Sequence, residues 1–291
     1  MNFDLSPEQR AIKQGAREFL AAKSDLRAVR RQVDAGVYDE TLWAAVRNQG
    51  WTGITLPEDS GGAGLGFVEL AVLMEEFGYA CVPSPLLSNT AAGILIAGGG
   101  SAEQKSRWLA PLASGEEKGA VGTVTADGSA IVADADGATI LILLDGDQAG
   151  LGETVAAQVE QVAGVDPTRR FFRVRAARTD PLPGDVAGGV ERIEVALSAE
   201  LVGVGQRAME MAVEYARQRQ QFGRPIGAYQ AVSHRCAEML LDVESARSAT
   251  YYAAWAADAD PVALPVAASV AKAAAGDMGW KVAASALQVH G

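Results

Sequence analysis

The chain has 291 residues, 49% of them hydrophobic and 21% charged, with a net charge of −11. Such a length supports a large core or several subdomains, while the acidic balance argues against nucleic-acid or anionic-membrane binding, which needs clustered Lys and Arg. Two cysteines without a CxxC spacing, and two histidines without a cysteine or carboxylate cluster, argue against a zinc site or a redox pair.

Cys81 and Cys236 therefore read as reduced thiols. The start, Met1 to Ser6, has neither the basic residues nor the apolar run of a signal peptide. No apolar stretch has the length of a membrane span. A cytoplasmic protein is the expectation.

In chain order, residues 1–118 read as helical. Ser6-Pro7-Glu8-Gln9 is a helix start, with Ser6 as cap and Gln9 closing a capping box. Ile12, Ala16, Phe19 and Leu20 share one face of that helix. A second helix is expected from about Glu40 to Gln49, ended by Gly50. The glycine-rich segment Gly53 to Gly64 reads as a loop. It lacks the preceding strand and the lysine of a phosphate-binding loop, so it is taken as a structural turn. Further helices are expected near residues 66–77, 88–96 and 102–112.

Residues 119–190 change character. Strands are expected at 119–125, 130–133, 139–144 and 171–176, with Asp-Gly turns at Asp127-Gly128, Asp136-Gly137 and Asp145-Gly146. From residue 191 the helical period returns. Leu197, Leu201, Val204, Ala208, Ala212 and Tyr215 step by three and four to about Gln221. A break at 222–227 precedes a long helix from about Tyr229 to Ala257, and another runs between Pro261 and about Gln288. The fold class expected is mostly α with a short β insert. Its three segments are an N-terminal helical domain (1–118), a shortened middle β domain (119–190) and a C-terminal antiparallel helical bundle (191–291).

Four segments resemble the acyl-CoA dehydrogenase family: Phe3 to Leu20; Trp43 to Tyr79, with Leu56-Pro57-Glu58, Gly61-Gly62 and Met74 to Gly78; Ala102 to Glu116; and Tyr215 to Ile226 with Gln230 and His234. Gln288-Val289-His290-Gly291 completes the set. The resemblance implies removal of a proton from the α-carbon of an acyl-CoA thioester while hydride leaves the β-carbon for a flavin. It implies FAD as cofactor and an electron-transfer flavoprotein or similar acceptor. By motif match, the residues implied at the cofactor are Arg219, Phe222, Gln230, Gln288 and Gly291. Without the resemblance, Arg219 would be one more surface arginine, Phe222 as easily core as cofactor wall, and Gln288 part of a solvated helix face.

Three features depart from the family pattern. The family's Thr-Glu-x-x-x-Gly-Ser-Asp loop survives only as Thr125-Ala126-Asp127-Gly128-Ser129, and no tryptophan lies between Trp108 and Trp255 to match its Trp-Ile-Thr strand. The early position of the catalytic base falls on Ile193, with Glu194 one residue away. A one-residue shift rotates a helix by about 100°, so Glu194 is a candidate base weighed against a solvated glutamate at a helix start. Glu200 is a second carboxylate, expected to be buried. The last helix is left with an open end, so residues beyond Gly291 are expected. These departures favour the smaller subunit of a heteromeric enzyme, α2β2, whose larger acyl-CoA dehydrogenase subunit holds the flavin ring and the base. The resemblance extends by analogy to enzymes acting on steroid side-chain CoA thioesters. The alternatives are a self-sufficient homo-oligomeric dehydrogenase, a scaffold subunit without cofactor and a flavin monooxygenase of the same fold.

Overall fold

The computed structural model describes residues 4–176 and 179–291. Helices come first: α1 (Pro7–Lys23), α2 (Leu26–Ala35), α3 (Glu40–Asn48), α4 (Phe67–Ala80), α5 (Leu86–Gly99) and α6 (Ala102–Ser114). Strands β1 (Gly119–Val124), β2 (Ala130–Ala133), β3 (Ile140–Asp145), β4 (Gln148–Glu153), β5 (Ala157–Val162), β6 (Phe171–Ala176) and β7 (Asp180–Pro181) follow. Helix α7 (Val186–Gln218), a two-stranded ribbon of β8 (Gln220–Gln221) and β9 (Arg224–Pro225), and helices α8 (Gln230–Ala259) and α9 (Leu264–His290) complete the chain. The mostly helical class with a β insert is thus observed. No helix among the described residues is long and apolar enough to cross a membrane.

The start of α1 forms as its sequence dictates. The Ser6 amide donates to Gln9 Oε1 at 2.8 Å and the Gln9 amide to Ser6 Oγ at 3.2 Å, a reciprocal box that satisfies two otherwise orphaned donors. Ser101 and Gln104 repeat the device at α6. The 53–64 loop consumes its amides internally: Gly62 donates to Pro57, Ala63 to Gly53 and Gly64 to Leu56. With those donors spent, it is a structural turn.

The chain forms two compact units. One comprises residues 23–66 and 82–193. Its seven strands run in the order β5-β6-β2-β1-β3-β4-β7, parallel only between β1 and β3. Strand alternation gives the sheet two buried faces. Ile140, Ile142, Ala149 and Leu151 point into one core with Leu95, Ile96, Leu109 and Leu112 of α5 and α6. Ala120, Val132, Leu141, Phe172 and Val174 form the core on the other face. In this unit a buried carboxylate, Asp134, sits in the left-handed region at φ 61° and accepts hydrogen bonds from Tyr38 and Ser88. Burial raises the Asp134 pKa, against the two hydroxyl donors that lower it.

The sheet is larger than the four strands expected. β4 carries Gly150 and Gly152, which weaken the strand signal, and β5 is a polar sequence, Ala-Gln-Val-Glu-Gln-Val, paired to β6. Helix α2 was also unexpected; its Arg-rich sequence has a single buried residue, Val29, and relies on the Asp25 cap.

The other unit comprises residues 1–22, 67–81 and 194–291. Its core is a bundle seam of Val202, Met209, Ala212, Met239, Val243, Met278 and Val282. The α4 and α7 backbones approach closely at Gly78 and Gly203. Beside this crossing, adjacent buried glutamates Glu75 and Glu76, each 1% exposed, are held by Lys13, Arg17, Arg247 and Tyr251.

Candidate functional site

The five residues expected at a cofactor all lie in the second unit, at the ends of α7, α8 and α9. Helix α7 ends at Gln218, three residues before the expected limit, because the chain turns into the β8–β9 ribbon. The Arg219 amide donates to the Tyr215 carbonyl and the Ile226 amide to the Arg219 carbonyl, each at 2.8 Å, so Arg219 is fixed where the helix meets the ribbon. At the ribbon's tip, Phe222 and Gly223 both have positive φ, 52° and 80°. A hairpin turn with both central residues left-handed matches the strand twist, and glycine meets that need without strain while phenylalanine does not.

Phe222 is 93% exposed, which settles the choice between core and surface: it is not a core residue. Its ring meets Tyr229 edge-on at 6.5 Å. Tyr229 donates from its hydroxyl to the Gln221 carbonyl and carries the Arg224 guanidinium over its ring at 4.1 Å. The tip is therefore a braced projection.

Gln230 is the exposed first residue of α8. Gln288 and Gly291 are exposed at the end of α9. His290 stacks on Tyr215 with ring centroids 4.6 Å apart, which brings the α9 end beside the α7 end. Residues distant in sequence are thus gathered at one end of the bundle. The side chains of Arg219, Gln230 and Gln288 make no hydrogen bond or ion pair among the described residues. In a chain of net charge −11, the exposed Arg217, Arg219 and Arg224 give this end a local positive character.

The β1–β2 turn behaves in the opposite way. Asp127 accepts from Thr125 Oγ1 at 2.6 Å, Ser129 Oγ at 2.7 Å and the Ser129 amide at 3.1 Å. Thr125 and Ser129 also close the hairpin through their backbones, and Arg175 pairs with Asp127 at 3.0 Å. Those hydrogen bonds hold the Asp127 pKa well below the usual carboxylate range. The hydroxyls of this turn are engaged within it.

Glu194 lies well inside α7, half-buried, and its carbonyl accepts from Ser198 Oγ. It is not at a helix start. The helix begins at Val186 despite Gly188-Gly189, because Asp185 Oδ1 accepts the Gly188 amide at 2.8 Å and caps the first turn. Glu200 is buried, 8% exposed, as the apolar stripe required.

Comparison with known proteins decides the family. The acyl-CoA dehydrogenase N-terminal domain matches residues 6–116 and the C-terminal domain residues 189–291. The chain belongs to the acyl-CoA dehydrogenase family. It is 34% identical to the acyl-CoA dehydrogenase IpdE2 of Mycobacterium tuberculosis over 98% of this chain and 86% of that protein. Among solved structures, a variant of the Tcur3481-Tcur3483 steroid ACAD aligns with TM-score 0.87 at 26% identity, covering 98% of this chain and 87% of that one. PigA with FAD and proline aligns with TM-score 0.89 at 23% identity, over 100% of this chain and 89% of that one, a likeness of fold. FAD is the cofactor of acyl-CoA dehydrogenases, oxidoreductases acting on CH–CH bonds. The donor set at the bundle end fits part of such a cofactor: free guanidinium and amide groups suit a pyrophosphate and its sugars, and Phe222 offers an aromatic face.

Proposed function

We propose that this chain is one half of a two-chain acyl-CoA dehydrogenase that introduces a Cα–Cβ double bond into an acyl-CoA thioester. The observation that carries this reading is a contrast within the chain. Its bundle end exposes Arg219, Phe222, Gln230, Gln288 and Gly291, and among the described residues the side chains of Arg219, Gln230 and Gln288 have no hydrogen bond or ion pair. Its Thr125–Ser129 turn, where the family holds the flavin ring, is closed on itself.

In this reading the larger subunit of an α2β2 assembly holds the flavin ring and supplies the carboxylate base. This chain supplies charge and hydrogen bonds to the same FAD. Arg219 would offset pyrophosphate charge, Gln230 and Gln288 would donate from their amides, and Phe222 would cover an apolar face and exclude water. When bound, FAD would supply the acceptor for hydride from the β-carbon, with the α-proton going to the base and the electrons passing on to an electron-transfer flavoprotein or a similar acceptor. Glu194, the candidate base of this chain, lies half-buried inside α7, and this reading gives the role to the partner. The steroid description of the Tcur3481-Tcur3483 enzyme, and its two-component name, support steroid-derived CoA thioesters as the substrate class and a heteromeric assembly. A cytoplasmic location accords with that chemistry.

Arg219→Ala tests the assignment. The complex assembled with the larger subunit is expected to bind FAD at least tenfold more weakly and to purify with less of it, because a charge-assisted contact to phosphate contributes about 1.5–3 kcal/mol. Unchanged FAD content in a correctly assembled complex would favour a scaffold subunit. Full FAD and acyl-CoA turnover in the isolated chain would establish a self-sufficient dehydrogenase, and oxygen consumption with reduced flavin a monooxygenase.

A further inference from the structure

Two arms of the candidate cofactor site come from helices far apart in sequence, and Tyr215 is bonded to both. It lies in the last turn of α7, half-buried against the bundle seam that includes Ala286 and Val289 of α9. Its carbonyl accepts the Arg219 amide at 2.8 Å, which fixes where the chain leaves the helix. Its ring stacks on His290 with centroids 4.6 Å apart and planes inclined by 26°.

His290 is itself held in place. Its Nδ1 donates to the Ala286 carbonyl at 2.8 Å, one turn back in α9, so the ring has a fixed setting. The last turn of a helix has carbonyls without intrahelical partners and frays readily. Of residues 287–290 only Val289 is buried, so apolar burial holds this turn at a single point. The stack adds a second contact, and a directional one, because aromatic rings favour particular mutual geometries. Two points of contact fix the rotation of the turn about its axis. Gln288 precedes His290 by two residues and therefore projects about 200° away around the helix. With His290 against α7, the Gln288 side chain is turned away from Tyr215, exposed and without a hydrogen bond among the described residues. A slip of one residue would swing it by about 100°.

We propose that Tyr215 is a positioning residue for the cofactor groups, joining Arg219 to the end of α9 so that Gln288 is presented in one orientation. The role rests on the shared-cofactor reading and names what keeps the two arms of that site in register.

The complex with the larger subunit, titrated with FAD and followed by flavin fluorescence, tests it. Tyr215→Leu is expected to weaken FAD binding by about threefold to tenfold, the scale of one lost aromatic contact. Tyr215→Phe keeps the ring and is expected to bind FAD as the wild type does. In a Gln288→Ala background, Tyr215→Leu is expected to weaken binding by less than about twofold, because its effect passes through Gln288. A stack that only stabilised the bundle would act by the same factor in both backgrounds. Should Tyr215→Leu fail to assemble, His290→Ala against His290→Phe makes the same comparison from the α9 side. Arg219→Ala, measured alongside, separates the two readings. FAD binding weakened by Arg219→Ala but not by Tyr215→Leu overturns the positioning role alone; binding indifferent to both removes the shared site and the role with it. Equal losses for Tyr215→Leu and Tyr215→Phe, or losses additive with Gln288→Ala, would also overturn it.

Discussion

Replacing Gly203 with alanine is expected to lower the melting temperature of the chain by roughly 10 °C, the consequence of about 3 kcal/mol or more of overpacking in a protein of this size. A Cβ at Gly203 would lie 1.9 Å from the Glu75 carbonyl oxygen and 2.6 Å from the Tyr79 amide nitrogen. These are backbone atoms of α4, so no side chain can rotate away. The crossing is reciprocal: a Cβ at Gly78 would lie 1.9 Å from the Glu200 carbonyl oxygen. Two glycines thus let the helices meet backbone to backbone, and either substitution forces the whole contact open. The helix-propensity gain of alanine, about 1 kcal/mol, opposes the clash and is the smaller effect. Thermal denaturation followed by circular dichroism reads the result. An unchanged or raised melting temperature for Gly203→Ala would mean that the two helices sit further apart than described.

Glu75→Ala is expected to cost about 3–5 kcal/mol, the usual penalty for breaking a buried ion pair by removing one partner. The Glu75 carboxylate is 1% exposed and accepts from Lys13 Nζ at 2.7 Å, Tyr251 Oη at 2.9 Å and Arg247 Nε at 3.3 Å. Burial and the adjacent Glu75 charge drive the Tyr251 hydroxyl far above the ordinary tyrosine range, so it remains a donor throughout the accessible pH range. Without Glu75 the half-buried Arg247 loses its deepest counter-charge and Tyr251 its acceptor. Glu75→Gln keeps an acceptor oxygen and is expected to lose clearly less. Urea denaturation of the three proteins gives the order wild type, Glu75→Gln, Glu75→Ala. Equal losses in the two variants would show that shape rather than charge and hydrogen bonding sets the cost.

Much of this was legible in the sequence where local chemistry decides the outcome. The Ser6–Gln9 box, the turn at 53–64 and the stripe that buries Glu200 follow from residue types at fixed spacing. What escaped were elements held by tertiary context. Strand β4 forms around Gly150 and Gly152 because it is bracketed by β3 and β7. Helix α7 starts before Gly188-Gly189 because Asp185 caps it. The ribbon at 220–225 read as a simple break, since a positive φ at Phe222 leaves no mark in composition. The candidate site was legible only through the family's motifs. No local pattern says that Gln288 lies beside the α7 end; the Tyr215–His290 stack brings it there.

The central claim is that this chain completes an FAD site held mainly by another subunit. It is tested most directly by the flavin absorbance of the purified chain, alone and after co-expression with the larger acyl-CoA dehydrogenase subunit. The account predicts a colourless chain and a yellow complex that oxidises acyl-CoA. A yellow chain carrying one FAD per subunit, with turnover of its own, would contradict it.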